Sequence, residues 1–405
     1  MNEQNSRHES LRMFYKTRKG KKLLRFKKIR KICTIATAVV MAISIIATAA
    51  LGAVMLLGNW NPLGGNEHLG TESETNSELE QIQYNDHEGV SYILVVGIDN
   101  KDQYGTDAAM GVEGYHSDVI AIACINHVTK EVNVMQIPRD LFIGTDIYSM
   151  KINAVYALPR QGENSINALR RRLASHLGIK IDHYIIFTIQ GFMNCIDALN
   201  GIDIYIHQPN GLYIPHYITY EYYKIGPGWV HLDGPTAASF VRKRTGTREE
   251  GYVLGDPDRL EAQRIMYVAF AKRLMSMSAT DIVSAVTACK DHVATSMTMD
   301  DIVGYGLEVK NMDLSKISVW GMPGQQGSYQ HHNIGYPLSY YSIHKQEYID
   351  MWNEHMNPFG EKLTMDSIKI RELHTELGWK YEPSYFTQGG SLSDIAEQFG
   401  QNTKK

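Results

Sequence analysis

Acidic and basic side chains in this sequence gather at the ends of predicted strands, which is where α/β folds build their sites. A guanidinium group binds phosphate oxygens through two parallel hydrogen bonds. If Arg139, Arg242 and Arg244 converge, they would therefore suit a pyrophosphate better than a carboxylate or a neutral sugar. Asp99 and Asp118 provide carboxylates at neighbouring strand ends, and Mg²⁺ needs one or two of these together with phosphate oxygens and water. Phosphoryl transfer requires positioning and charge neutralisation more than a covalent nucleophile. Together these side chains favour phosphoryl-transfer chemistry.

Each of these residues also has an ordinary structural explanation. A single aspartate at a strand end commonly caps a turn, and the run Arg242-Lys243-Arg244 is typical of a solvated surface. Arg259 and Gln263 are four residues apart, so they share one face of a predicted helix, which is either part of the site or the solvent side of that helix. The sequence contains no P-loop, HExxH or GxSxG motif, which leaves the NTPase, metalloprotease and esterase classes without support.

The first 57 residues predict a membrane anchor. Residues 1–31 carry twelve Lys and Arg residues against two Glu, a net charge of +10. Residues 32–57 contain no charged residue, and this run exceeds the length needed to cross a bilayer core of about 30 Å. It is also longer than the apolar part of a signal peptide. The excess of positive charge before the span predicts a cytoplasmic N-terminus that contacts anionic lipid headgroups rather than nucleic acid, with everything after the span outside.

The remaining chain predicts a stalk, one large α/β domain and a tail. Residues 58–90 are rich in Gly, Asn, Ser, Thr and Glu, which is typical of a flexible stalk. The domain is expected over 91–357, with its core at 91–276, and 358–405 as an irregular tail without periodicity. A polar turn at 126–130 predicts an antiparallel hairpin, which makes the sheet mixed. Strands are predicted at 92–96, 119–125, 132–137, 184–189, 202–206 and 315–320, and helices at 165–177, 192–199, 235–241, 259–275 and 281 to about 307.

A long insertion at 207–231 is rich in tyrosine and also contains Pro and Gly. Its aromatic side chains could cover a groove or bind sugar, since aromatic rings combine an apolar face with a polar tip. A packed surface loop explains the composition equally well. The sequence leaves both interpretations open.

The order of the motifs resembles the LytR-CpsA-Psr family of cell-wall glycopolymer ligases. The similarity runs from about Tyr92 to Ser276 and, more loosely, to the segment around Tyr341. Any one motif is moderately specific, whereas their order and spacing together are strongly specific. The motifs are YILVVGIDN, HSDVIAIACINHVTKEVNVMQIPRDLFI, KINAVYA, GFMNCIDALNGIDI, LDGPTAASFVRKR and GDPDRLEAQR.

This resemblance implies a three-layer α/β/α sandwich with a mixed central sheet and a hydrophobic groove for a polyprenyl chain. It implies an enzyme at a Gram-positive-type cell membrane that transfers a glycan, such as teichoic acid or capsular polysaccharide, from a polyprenyl-pyrophosphate carrier to peptidoglycan with the assistance of Mg²⁺. Position by position, the metal residues would be Asp99 and Asp118; the catalytic residues Asp118, Arg139 and Asp140; and the pyrophosphate-binding residues Arg139, Arg242, Arg244, Arg259 and Gln263. Asp118 or Asp140 would accept the proton of the acceptor hydroxyl.

The sequence departs from the family pattern at two positions. His116 stands where the family usually has arginine, and Ala262 stands where a further arginine commonly precedes Gln263. Arg264 follows in place of a second glutamine and could compensate. These departures rearrange the phosphate-binding charge and would affect which substrate is bound. Two alternatives therefore stay open, namely a membrane-anchored glycolipid-binding or regulatory module without turnover and a hydrolase of the lipid pyrophosphate.

Overall fold

The computed structural model describes residues 89–98, 117–143, 151–157, 164–178, 181–219, 221–243, 256–278, 293–297, 312–330, 337–382 and 389–402, without the side chains of Asp118 and of 256–261. The predicted basic arm, membrane span and all but the last two residues of the stalk lie outside these ranges. Within them, no helix combines the length and the apolar character that crossing a membrane requires.

The described strands and helices follow the predicted alternation closely. The strands are β1 (Val90–Ile98), β2 (Ser117–Asn126), β3 (Glu131–Ile137), β4 (His183–Thr188), β5 (Ile202–Ile206), β6 (Leu212–Pro215), β7 (Tyr222–Ile225), β8 (Gly228–Leu232), β9 (Val293–Thr295), β10 (Ile317–Gly321), β11 (Gly324–Tyr329), β12 (Leu338–Ile343) and β13 (Gly390–Ser391). The helices are α1 (Ile152–Ala157), α2 (Ser165–Leu177), α3 (Ile189–Ala198), α4 (Gly234–Arg242), α5 (Asp256–Met275), α6 (Lys345–Met351), α7 (Leu373–Glu376) and α8 (Leu392–Gln398). Within the described residues, every strand and helix predicted for the domain is confirmed to within three residues at each end, apart from the helix expected at 281–307.

A seven-stranded sheet organises the described part of the chain, in the order β13-β10-β3-β2-β1-β4-β9. β2 pairs antiparallel with both β1 and β3, which confirms the predicted hairpin. β1 is parallel to β4, and β3 is parallel to β10. The prediction of a mixed sheet in an α/β fold is therefore confirmed.

Both faces of the sheet are covered. On one face, Leu94 and Val96 of β1 belong to the same core cluster as Leu169 and Leu173 of α2. Ile93 points to the opposite face and is equally buried, beneath the layer that includes α5. Burial on both faces explains why β1 reads as an uninterrupted apolar run rather than as an alternating one.

The expected helix at 281–307 is wrong where the structure describes it. Residues Val293–Thr295 form β9, whose Thr295 is paired with Ile185 of β4 at the margin of the sheet. All three residues of β9 are buried. This segment forms a strand because of tertiary contacts. Pairing with β4 and burial determine the conformation of three residues more strongly than local helical periodicity does.

The expected irregular tail is also corrected. Leu363, Ile368 and Ile370 lie in the main core cluster, and the chain then forms α7, β13 and α8. These elements are short, so they carry no long periodic signal in the sequence, and they depend on contacts with the rest of the domain for their stability.

Replacing Gln401 by alanine is expected to lower the free energy of unfolding by about 1–2 kcal/mol. Gln401 is buried, and its side chain pairs with the peptide of Tyr205: Nε2 donates to the carbonyl oxygen at 2.9 Å and Oε1 accepts from the amide at 3.0 Å. The substitution leaves both backbone groups without these partners. Denaturant titration measures the loss, with Gln398→Ala on the exposed side of α8 as the matched control. Equal stability of the two variants would contradict this role.

The stability of the fold is expected to fall as the pH drops from about 6.5 towards 4. Burial, together with the nearby cations Arg172, Lys369 and Arg171, lowers the pKa of His176 to about 4. The folded state therefore keeps this imidazole neutral in a range where the unfolded state, with a pKa near 6.5, binds a proton. Protons then favour unfolding throughout that window. Thermal unfolding at pH 7 and pH 5 should show a smaller decrease for His176→Gln than for the wild type; identical decreases would contradict this assignment.

Candidate active site

The backbone of Asp118 and the turn that carries Arg139 and Asp140 lie at one edge of the central sheet. β1, β3, β4 and β10 run in one direction, and β2 runs in the opposite direction between β1 and β3. Their carboxyl ends therefore meet at the edge where β2 begins. At this edge Ile98 is paired with Ser117, and Ile120 is paired with Ile137. Asp118 and the turn that follows Ile137 thus lie on adjacent strands.

The backbone at Asp118 forms an irregular step in the ladder. Gly97 is paired with Val119, but Ile98 is paired with Ser117, so Asp118 is an extra residue opposite the end of β1. Such bulges bend a strand, change the direction of a side chain and are common next to active sites. Asp99, the other expected metal ligand, directly follows β1 and lies outside the described residues. The metal-binding roles of both aspartates stay predictions.

The Pro138-Arg139-Asp140 turn is held by three interactions with neighbouring segments. The Arg139 carbonyl accepts a hydrogen bond from the Asn153 amide at 3.2 Å, and the Asp140 carbonyl accepts one from the Tyr341 amide at 2.8 Å. The Asp140 carboxylate accepts from Lys151 Nζ at 2.8 Å, and both side chains are largely buried. One oxygen of Asp140 is therefore already occupied by an ammonium group, which fits an anchor of the turn better than a proton acceptor.

Lys151 also approaches an aromatic ring. Its Nζ lies 5.1 Å from the centre of the Tyr340 ring, within the range of a cation–π interaction. Burial raises the pKa of Tyr340, and the nearby Tyr329 and Asp140 raise it further, so this phenol stays neutral at physiological pH. β12 thus supports the Asp140 turn through the backbone of one residue and the ring of its neighbour.

Gln263 is in the protein interior, so the solvent-side interpretation of its helix face is wrong for this residue. Its side chain is fully buried, and its Oε1 accepts a hydrogen bond from Gln136 Nε2 at 3.1 Å. Gln136 lies in β3, three residues before Arg139, so this contact brings α5 against the strand that leads into the turn. The side chain of Arg259, one turn earlier in α5, is not described. Its pyrophosphate-binding role stays a prediction.

Arg242 is the last residue of α4, and Lys243 after it is extended. The Arg242 guanidinium lies 4.7 Å from the centre of the Tyr217 ring. Lys243 is buried and donates from Nζ to the Tyr213 carbonyl at 2.6 Å. These two residues are therefore integrated into the fold rather than part of a solvated run. Arg244 lies outside the described residues, and the structure describes no contact of Arg242 with Arg139.

The tyrosine-rich insertion is a folded β-ribbon with a packed side and an exposed side. β6 pairs with β7, and β5 pairs with β8. Tyr223 packs against α4 and donates from its hydroxyl to Thr236 Oγ1 at 2.5 Å. Tyr213 and Tyr222 are more than half exposed. The insertion therefore supports the end of α4, while sugar binding by its exposed tyrosines stays a prediction.

Two residues with a role at this edge were missed by sequence reasoning. Gln136 stands in the buried stretch VNVMQI, and a buried amide needs partners, so its polarity was a signal that could have been used. Tyr217 carried no such signal, because its contact with Arg242 depends on how the ribbon folds back over α4. Among the side chains that the structure describes, no cluster of three His, Cys, Asp or Glu residues could hold a metal ion.

Comparison with known proteins agrees with the fold and the motif order. The family model described as the LytR_cpsA_psr family matches residues 60–357. The Enterococcus faecalis protein named polyisoprenyl-teichoic acid--peptidoglycan teichoic acid transferase TagU is 25% identical over 245 residues, covering 59% of this chain and 72% of its own. Biofilm regulatory protein A of Streptococcus mutans is 23% identical over 317 residues, covering 75% of this chain and 72% of its own.

Solved structures share the same fold. A Streptococcus agalactiae protein superposes with a TM-score of 0.55 at 17% identity, over 77% of this chain and 99% of its own. TagV of B. subtilis gives a TM-score of 0.51 at 22% identity, over 67% of this chain and 99% of its own. At these identities the likeness concerns the fold alone.

Proposed function

Because the chain belongs to the LytR-CpsA-Psr family, we propose that it transfers a glycan from a polyprenyl-pyrophosphate carrier to peptidoglycan. The observation that carries this proposal is the meeting of the bulged Asp118 backbone, the Arg139-Asp140 turn and the buried Gln263 at one edge of the sheet. The relative from Enterococcus faecalis named as a teichoic acid transferase supports the reaction class. TagT, which has this fold with a TM-score of 0.50 at 16% identity over 68% of this chain and 94% of its own, has been solved bound to LIIa-WTA.

The pyrophosphate of the carrier would be bound by arginines and one glutamine. Arg139 follows the carboxyl end of β3, and Gln263 is joined to that strand through Gln136. Arg259 is one helical turn before Gln263, so its side chain starts on the same face of α5. Arg242 at the end of α4, together with Arg244, which follows two residues later in the sequence, would complete the set. Guanidinium groups bind phosphate oxygens with two parallel hydrogen bonds, which fixes the orientation of the pyrophosphate as well as its charge.

Asp99 and Asp118 would hold a Mg²⁺ ion beside this pyrophosphate. Asp99 directly follows Ile98 in the sequence, and Asp118 is the bulged residue opposite the end of β1, so two hard oxygen donors would start near the same strand end. One or two carboxylates completed by phosphate oxygens and water are the usual ligands of Mg²⁺. When bound, the ion would supply positive charge against the phosphate oxygens.

The chemical step is a displacement at phosphorus. The acceptor hydroxyl oxygen forms a bond to the phosphorus that carries the glycan, the bond to the bridging oxygen breaks, and polyprenyl monophosphate leaves. Asp118 accepts the proton of the hydroxyl, because the Asp140 carboxylate is engaged by Lys151. Arg139 stabilises the negative charge that develops on the departing phosphate.

The expected membrane anchor fits this substrate. A polyprenyl carrier resides in the bilayer, and the basic arm 1–31 and apolar run 32–57 would hold the domain beside it on the outer face of a Gram-positive-type cell membrane. The prenyl chain would enter an apolar groove of the domain. The glycan and the acceptor hydroxyl would be selected outside the pyrophosphate site.

Transfer of a radiolabelled prenyl-pyrophosphate-linked saccharide to peptidoglycan fragments by the full-length chain tests this proposal. We expect a labelled conjugate with Mg²⁺, and none with EDTA or with the Arg242→Ala/Arg244→Ala double variant. The exposed pair Lys362→Ala/Lys380→Ala removes the same charge elsewhere and should leave transfer intact. Release of labelled phosphosaccharide without conjugate would identify a hydrolase instead. Binding of the lipid without either product, across a panel of saccharides, would identify a regulatory module.

A further inference from the structure

Gln136 occupies a position in β3 that has room for a long polar side chain. Its lateral partners in the sheet are Ala121 of β2 and Gly321 of β10, both small. Helix α5 covers this part of the sheet and places Gln263 and Tyr267 over the glutamine. These two residues are four positions apart and share one face of the helix.

Gln136 fixes the orientation of the Gln263 amide. Its Nε2 donates one hydrogen bond to Gln263 Oε1 at 3.1 Å and one to Tyr267 Oη at 2.6 Å, which uses both of its hydrogens. Because an amide is planar, Gln263 Oε1 facing Gln136 turns Gln263 Nε2 away from it. Gln136 and Tyr267 are themselves buried, so the arrangement is locked by packing.

The Nε2 of Gln263 has hydrogens to donate that no described residue receives. The residue is fully buried, and within the described part of the chain this nitrogen has no acceptor. Buried polar atoms nearly always have a hydrogen-bond partner, so a donor held in this way indicates an acceptor that comes from outside the chain. Gln136 lies three residues before Arg139 and Gln263 lies in the first half of α5, so such an acceptor would lie near both segments.

We propose that Gln136 is a positioning residue that presents the Gln263 amide nitrogen as a hydrogen-bond donor to a pyrophosphate oxygen of the carrier. This inference rests on the proposed function for the identity of the anion. The arginines supply charge to the same group, whereas the amide supplies a neutral donor at a fixed position. Loss of Gln136 should therefore weaken pyrophosphate binding only as long as Gln263 is present.

A double-mutant cycle on the full-length chain tests the coupling. Binding of farnesyl pyrophosphate in the presence of Mg²⁺ is measured by calorimetry for the wild type, Gln136→Met, Gln263→Met and the double variant. We expect each single substitution to weaken binding about tenfold and the double to weaken it about tenfold as well, because residues that act as a unit are not additive. Gln325→Met removes another buried glutamine, in β11, and is the matched control, with unchanged binding.

The outcomes separate this inference from the proposed function. Wild-type binding by Gln136→Met, or a hundredfold loss in the double variant, would overturn the positioning role. The variants could show coupled losses of binding while the wild-type chain transfers no glycan. That result would support the positioning role and overturn the transfer reaction. If Gln136→Met does not fold, Gln136→Glu replaces it. A carboxylate at 136 cannot donate to Gln263 Oε1 and would attract its Nε2, so the same weak binding is expected.

Discussion

Replacing Arg139 by alanine is expected to lower kcat/KM for glycan transfer by about 10³-fold, the scale on which arginines act in phosphoryl transfer. The turn that carries Arg139 follows directly from β3, and its backbone is held by Asn153 and Tyr341. Because this backbone is held in place, the Arg139 guanidinium needs little rearrangement to bind the negative charge that develops in the transition state. The fold should survive, since these supporting bonds involve main-chain atoms that alanine retains.

Two further variants separate charge from geometry at this position. Arg139→Lys keeps the positive charge but cannot form two parallel hydrogen bonds, so we expect an intermediate loss of about 10–100-fold. Arg371→Ala removes a guanidinium from an exposed ion pair with Glu376, which contributes little to stability, and should transfer at the wild-type rate. Steady-state kinetics with the labelled carrier measures all three. An Arg139→Ala enzyme within tenfold of the wild type would exclude the residue from the transition state.

Replacing Asp118 by asparagine is expected to reduce kcat by about 10²–10⁴-fold, the contribution typical of a general base. Asn retains the size of the side chain and cannot accept a full proton at neutral pH. The equivalent change Asp140→Asn should cost less than tenfold in kcat, because asparagine can still accept the hydrogen bond from Lys151. This contrast follows from the structure, since sequence reasoning gave the two aspartates equal standing as proton acceptors.

The pH dependence of kcat distinguishes a base from a structural carboxylate. The wild type and Asp140→Asn should lose activity as the pH falls through the ionisation of the proton acceptor, whereas the residual activity of Asp118→Asn should lack that limb. If Asp140→Asn is the variant that loses both rate and the acidic limb, the roles of the two aspartates are reversed. A high concentration of added Mg²⁺ should not restore the kcat of the Asp118→Asn variant.

The strands nearest the site could be predicted because their pattern of burial leaves a clear signal in the sequence. β1 and β2 are covered on both faces, so each reads as a continuous apolar run. The polar turn at 126–130 predicts the antiparallel hairpin that joins β2 to β3. α2 was predicted at its observed bounds, with Gly178 in the left-handed conformation after its last turn. The roles of the candidate site residues came from the resemblance in motif order and stay predictions.

The features that sequence reasoning missed depend on contacts between distant segments. The bulge at Asp118 is a property of how β2 aligns with β1. Gln136 and Gln263 are separated by 127 positions, so nothing in either segment indicates that their amides meet. β13 has two residues and exists only as a partner of β10. Such pairings are decided by the whole chain.

The short strands at the two margins of the sheet also affect how the protein behaves when crowded. A long unpaired margin offers free amide and carbonyl groups to a strand of another molecule, and this is a common route to aggregation. In the described sheet one margin is β13, with two residues, and the other is β9, with three. Neither strand is long enough to template a further strand. Molecules packed closely on a surface are therefore protected from aggregation through pairing of their sheet edges.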